Sequence, residues 1–282
     1  MRVRGRLIRA VRNKKKLSQS DLANEICTQS TISNIEKKGF CDNVLIFSRI
    51  CERLELDMSH CIIDPTEKYL IQLLTEAEQL CILLKHKQAY YLLKTIDKNT
   101  IFLNDLIKKK YLYLKGITCL LGKINKTEAL FYLHQGAEIT HKANIFNYLS
   151  LNALGIFYEL EKEYQKAEGY FNRSLSQLRK FKKNYPFEAC RIYYNSAKFY
   201  SEIKMYQKSV ELCDLGIEIC KSNKSIYLLD FLLYERAYNK RKLGENTTED
   251  YLQAYYFSKF FNNKKAVTCL KHELKHLNIN YS

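Results

Sequence analysis

Three groups of side chains in this sequence have the types and spacing to do chemistry. Thr28–Asn34, "TQSTISN", crowds hydroxyl and amide side chains around Ile32, with Ile35 just beyond. Such residues disfavour helix interiors, and they are also the side chains that hydrogen-bond base edges in a DNA groove. His272–His276, "HELKH", is a literal H-E-x-x-H. On a helix it would place two imidazoles on one face beside Glu273 as a general base for zinc-assisted hydrolysis. The third group is Asn152, Asn195 and Asn239, amides that each offer a donor and an acceptor to the backbone of an extended chain.

The hydrolytic reading lacks a part. Only "LNINYS" follows His276, with no His, Asp, Glu or Cys to act as a downstream third ligand. The spacing instead predicts a charged final helix whose Leu270, Leu274 and Leu277 pack as a cap. No metal and no cofactor are expected, and a zinc metallopeptidase stays a distant alternative. P-loop, G-x-S-x-G and G-x-G-x-x-G motifs are absent, so the expectation is a protein that is not an enzyme.

The elements that position these groups are predicted to be helices. The chain has 282 residues, 46% hydrophobic, with 9 Gly and only 2 Pro. This favours two domains of long helices with short turns. The formal charge is +16. Residues 1–16 hold eight Arg/Lys and no acid, so the strongest positive field lies at the N-terminus, where it suits phosphates. Arg2, Arg4, Arg6, Arg9 and Arg12 leave no room for the apolar core of a secretory signal. No stretch is long and apolar enough to span a membrane. The ten cysteines form no C-x-x-C and read as reduced, buried thiols of a cytoplasmic protein.

In the first sixty residues, Val3, Leu7, Ile8 and Val11 have the spacing of a first helix. Ser18 with Asp21 is a start signal for a second, and Thr28 caps a third that Gly39 ends. Val44, Phe47, Ile50, Cys51 and Leu54 mark one face of a fourth, and a short fifth follows Asp57. "LSQSDLA" followed by "QSTISNIE" resembles the lambda-repressor-like helix-turn-helix domain over residues 4–62. By that resemblance, helix three enters the major groove with Gln29, Ser30, Thr31 and Asn34 facing bases. Gln19 matches the family's phosphate-contacting glutamine, while Lys37, Lys38 and the N-terminal arginines add sequence-independent affinity.

A new helix begins at "DPTEKYL", with Asp64 as N-cap, Pro65 at the first position and Glu67 at the third. Beyond it the pattern repeats. Leu151, Leu154, Gly155, Tyr158, Ala167, Phe171 and Ser174 follow the spacing of a tetratricopeptide repeat. Tyr193, Ser196, Ala197, Tyr200, Ser209, Cys213 and Gly216 follow it again. The small residue opening each second helix falls at Ala89, Ala129, Ala167 and Ser209, steps somewhat longer than the usual ~34. A fifth pair near residue 250 has poorer register. One pair cannot bury its own apolar face, so the pairs must stack, leaving a groove suited to an extended peptide.

A helix-turn-helix domain (1–62), a linker helix (63–80) and tetratricopeptide-like pairs (69–282) together resemble the RRNPP group of peptide-responsive quorum-sensing regulators. The resemblance implies an all-α chain with a five-helix DNA-binding domain and a C-terminal right-handed superhelix. It implies a cytoplasmic homodimer acting on double-stranded DNA, at a near-palindromic operator, under control of a short signalling peptide, and activation more often than repression. Related asparagines hold the peptide backbone, which points to Asn152 and Asn195, with Asn239 as a weaker third. Arg191 and Lys198 flank Asn195 at helical spacing and suit a carboxylate, and Tyr194 suits an apolar side chain. Leu70, Leu73, Leu74, Ala77 and Leu80 on the linker form a face that either a second copy or the first repeat could cover. The rival reading keeps the helix-turn-helix domain and gives the repeats a protein partner or a redox response.

Overall fold

The computed structural model describes residues 1–62, 65–97, 104–139, 143–181 and 184–280. Its regular elements are helices, apart from two isolated antiparallel bridges, Arg2–Phe40 and Val3–Ile62. The chain forms two compact units, one on Met1–Thr75 and the other beginning at Glu76.

The first unit holds α1 (Gly5–Lys14), α2 (Gln19–Ala23), α3 (Gln29–Lys38), α4 (Val44–Arg53) and α5 (Met58–Cys61). Local chemistry sets most of its boundaries. Ser18 and Asp21 form a complete capping box on α2, and Thr28 accepts from the Thr31 amide to start α3. Gly39 ends α3 in the left-handed region at φ 61°. Ile8, Leu22, Ile32, Ile35, Phe47 and Ile50 are fully buried in one core, each contributing about 1.5–3 kcal/mol of apolar burial. Gly5 lets α1 approach the end of α3, because a Cβ there would stand 2.1 Å from the Ile35 carbonyl oxygen.

Two expected helix positions are corrected. Val3 is buried but lies before α1, in the bridge to Ile62. Val44 is the first residue of α4 and is 54% exposed, because a helix capped by Asn43 turns its opening residue away from the core.

Next comes α6 (Pro65–Ile82), inside which the division between the units falls. Asp64, expected as its cap, lies outside the described residues. Leu70, Leu73, Leu74 and Ala77 are buried within the chain, so the apolar stripe expected to pair with a second copy is already covered.

The second unit continues with α7 (His86–Lys94), α8 (Asp105–Leu121), α9 (Lys126–Ala137), α10 (Ile145–Leu160) and α11 (Tyr164–Leu178). After a short 3-10 turn come α12 (Ala189–Glu202), α13 (Tyr206–Ser222), α14 (Leu229–Lys242), α15 (Thr248–Phe260) and α16 (Lys264–His276). Neighbouring helices pack in sequence, and α8, α10, α12 and α14 also pack on one another as an inner row. Ala89, Ala129, Ala167 and Ser209 are fully buried where second helices meet first ones. Close approach is required there: a Cβ on Gly216 would stand 2.8 Å from Leu232.

The turns repeat as well. Leu84, Lys123, Lys162, Lys204, Gly244 and Asn262 each sit two residues past a helix end, and all have φ between 54° and 82°. Only one of the six is glycine, so the left-handed turn recurs in the backbone without recurring in the sequence.

Candidate functional sites in the two units

The start of α3 is a polar surface held by a chain of hydrogen bonds. Arg12 on α1 is buried and grips Glu36 on α3 through two nitrogens at 2.5 and 3.0 Å. Its remaining nitrogen donates to the Leu17 carbonyl at 2.7 Å. The Glu36 carboxylate also accepts from Gln19 Nε2 at 2.8 Å, and Gln19 Oε1 accepts from Gln29 Nε2 at 2.6 Å. Burial pushes the Glu36 pKa up, but the hydrogen bonds from Arg12 and Gln19 outweigh it and hold the carboxyl below its ordinary range. Rigidity thus passes from a buried ion pair to exposed Gln29.

Ser30 and Thr31 share their hydroxyls with Thr28 at 2.7 and 2.9 Å. Gln29, Ser30, Asn34, Lys37 and Lys38 are exposed, Thr31 and Gln19 partly so. Of the N-terminal cations, Arg2, Arg6 and Arg9 are exposed. Two arginines are corrected from free cations to engaged ones: Arg12 belongs to Glu36, and Arg4 pairs with Glu67 at 2.6 Å.

In the second unit, a cavity of about 280 Å³ opens among the inner helices. From α12 it takes Arg191, Tyr194, Asn195 and Lys198, one face at helical spacing. Ile82, Leu121, Ile156, Leu160, Leu228 and Phe231 make its wall apolar, and His86 and Glu159 add polar groups. Tyr194 leans on Phe231 with ring centroids 5.6 Å apart.

Arg191 donates through Nε to the Tyr227 hydroxyl at 2.6 Å, and its guanidinium lies 5.3 Å from that ring's centroid. Among the described residues no carboxylate forms an ion pair with it. Burial works against its charge, but the Tyr113 and Tyr227 phenols outweigh burial and hold the guanidinium protonated. Burial, then the Arg191 charge, pushes His86 below its ordinary value. Its Nδ1 is buried without a partner. Burial pushes the Glu159 carboxyl up.

Asn152 and Asn239 do not line this cavity. Asn152 is fully buried, its Nδ2 within 3.2–3.3 Å of Ser174, Ser196 and the Ile192 carbonyl. Its Oδ1 accepts from Asn195 Nδ2 at 2.8 Å. It therefore holds Asn195, which lines the cavity, through the Asn195 amide nitrogen. Asn239 is also fully buried, donating to the carbonyl and carboxylate of Glu235 at 2.7 and 2.9 Å. Both are corrections to a direct ligand contact, since inner-row positions include the seam between helices as well as the open face.

The H-E-x-x-H motif folds as helix α16. Its imidazoles meet edge-on at 4.5 Å, and Glu273 accepts from Arg241 at 2.5 Å. Leu270 and Leu274 are fully buried beneath them. Among the described residues no three His, Cys, Asp or Glu side chains are grouped to hold a metal ion, and no helix is long and apolar enough to cross a membrane.

His86, Glu159, Tyr227 and Phe231 were not anticipated from the sequence. Each is isolated in its own segment, and only stacking brings them to Arg191.

Fold and sites together define a helix-turn-helix domain joined to a tetratricopeptide-like array. Residues 8–59 match the helix-turn-helix family. The chain shares its fold with Bacillus thuringiensis PlcR solved with the peptide PapR7 and DNA: 22% identity, 96% of this chain and 98% of that chain covered, TM-score 0.64. PlcR in its apo form is similar at 19% identity, 95% and 99% coverage and TM-score 0.63. ComR from S. thermophilus, solved with DNA and its signalling peptide ComS, is similar at 16% identity, 95% and 97% coverage and TM-score 0.60. No curated protein matches the chain.

Proposed function

We propose that this protein is a DNA-binding transcription regulator of the RRNPP group, controlled by a short peptide, and not a peptidase. PlcR and ComR were solved with peptide and DNA together, and both partners are carried to this chain on that likeness. Residues 1–62 serve as the DNA-binding domain, 63–80 as the linker and 69–282 as the peptide sensor.

The observation that carries the reading is the cation Arg191, without a carboxylate partner, in a mostly apolar cavity beside a pre-oriented asparagine. A half-buried cation in an apolar wall favours an anion, and a peptide supplies one as its terminal carboxylate or an acidic side chain. Asn195 satisfies backbone amides that would otherwise cost about 1–3 kcal/mol each when buried. Two copies on a near-palindromic site give a helix-turn-helix domain of this size its specific affinity. The direct test is sequencing of DNA fragments bound by the purified protein, with and without peptide extract from the producing strain. A fragment population that neither enriches a motif nor responds to extract would overturn the proposal.

Two substitutions refine it. Gln29→Ala or Asn34→Ala is expected to cost about 1–3 kcal/mol at the specific site and to relax specificity there. Lys37→Ala should weaken all sequences alike and reduce the salt slope by about one. Parent-like binding of specific and random DNA by both amide variants would remove α3 as the reading element.

In the sensor, Asn195→Ala should lower peptide affinity about tenfold, or 1.4 kcal/mol, at nearly unchanged melting temperature. Asn152→Ala should lower both, because it strips partners from buried groups. Calorimetry and thermal melting separate the two; an Asn152→Ala chain as stable as the parent would contradict its buried role.

A further inference from the structure

Two thiols lie beneath the Arg191 clasp. Cys190, one residue before Arg191 on α12, and Cys220, in the last turns of α13, approach to 3.4 Å between sulfurs, and both are buried. Cys220 also lies 3.4 Å from the Tyr227 carbonyl, and Cys190 lies 3.5 Å from the Gly216 carbonyl. Tyr227 is therefore held twice: its carbonyl faces Cys220, and its hydroxyl accepts from Arg191.

We propose that Cys190 and Cys220 are a dithiol–disulfide switch, oxidised by hydrogen peroxide, that loosens Arg191 and so resets the cavity. The Cys220 thiolate attacks a peroxide oxygen. A sulfur–oxygen bond forms, the oxygen–oxygen bond breaks, and the departing hydroxide takes a proton to leave as water. The Cys190 sulfur then attacks the Cys220 sulfenic acid, forming the disulfide and expelling a second water that carries the Cys190 proton. Two thiols lose two electrons and one peroxide gains them.

Either sulfur can donate in this contact, so either thiol can assist ionisation of the other. Closure from 3.4 Å to a bond of about 2.05 Å draws the start of α12 toward the end of α13. It also removes the thiol that faces the Tyr227 carbonyl, freeing Tyr227 to release the guanidinium.

The experiment uses the full chain with Cys27→Ser and Cys269→Ser, which removes the two cysteines that are not buried. It is treated with hydrogen peroxide, mapped by peptide mass spectrometry and probed with phenylglyoxal at Arg191. Expected are a Cys190–Cys220 cross-linked peptide reversed by dithiothreitol, and Arg191 labelling faster by about tenfold, the scale of one lost hydrogen bond. Adding Cys220→Ser should abolish both responses. Should that variant fold poorly, the dithiothreitol reversal in the parent background supplies the comparison. Absence of the cross-link overturns the pairing, and a cross-link with unchanged Arg191 labelling overturns the switch.

Discussion

Arg12→Ala is expected to destabilise the helix-turn-helix unit by about 3–5 kcal/mol, the cost of leaving one member of a buried ion pair alone. The Arg12 and Glu36 side chains are 10% and 1% exposed, so water cannot replace the lost partner. From a total stability of about 5–15 kcal/mol, that loss leaves about 0–12 kcal/mol, so a unit at the lower end would be up to half unfolded and its specific DNA binding weakened in proportion. Two compact units make a single melting curve ambiguous, and the chain has no Trp. The measurement is therefore hydrogen–deuterium exchange of peptides from α1 and α3 in the full chain, with urea as the variable. Arg12→Met with Glu36→Met together should cost less than Arg12→Ala, because no charge is then stranded. Exchange in Arg12→Ala within about 1 kcal/mol of the parent would show the pair to be dispensable.

The same pair gives an acid dependence with a defined sign. Glu36 has its folded pKa held below the ordinary 4.5, so the folded state favours the carboxylate more than the unfolded chain does. Its stabilisation is fully present above that ordinary value and is lost as pH falls through the lower, folded one. Acid unfolding of the first unit should therefore steepen below about pH 4.5.

Arg191→Met is the second large effect. Removing a hydrogen-bonding cation that faces a carboxylate costs about 1.5–3 kcal/mol, roughly a tenfold to 150-fold loss of peptide affinity. Arg191→Lys should recover only part of it, since an ammonium on a flexible stem reproduces neither the planar fork nor its stacking on Tyr227. Calorimetry with candidate peptides of about five to eight residues, a length suited to a solenoid groove, reads the loss. Each peptide is offered with a free and an amidated C-terminus, which separates the terminal carboxylate from an acidic side chain as the partner. Equal affinity of parent and Arg191→Met for every bound peptide would remove Arg191 from the site.

The sequence by itself determined what depends on a few neighbouring residues. Ser18, Thr28 and Gly39 bound their helices because a cap is satisfied within about three positions. Ala89, Ala129, Ala167 and Ser209 marked the array because close helix packing needs a small residue at a regular step. The face carrying Arg191, Tyr194, Asn195 and Lys198 was legible for the same reason, since it lies on one helix.

Only the tertiary structure decided which polar groups are buried. Arg12 reads like its arginine neighbours until α3 brings Glu36 against it. Asn152 and Asn195 have the same chemistry, yet one is enclosed between helices and the other lines the cavity. Local spacing sets the direction of a side chain, whereas desolvation depends on every segment that packs over it. The cavity draws residues from Cys81 to Phe231, and the contact between Cys190 and Cys220 spans 30 positions. These proximities arise from the stacking of whole helical pairs, which no short window of sequence contains.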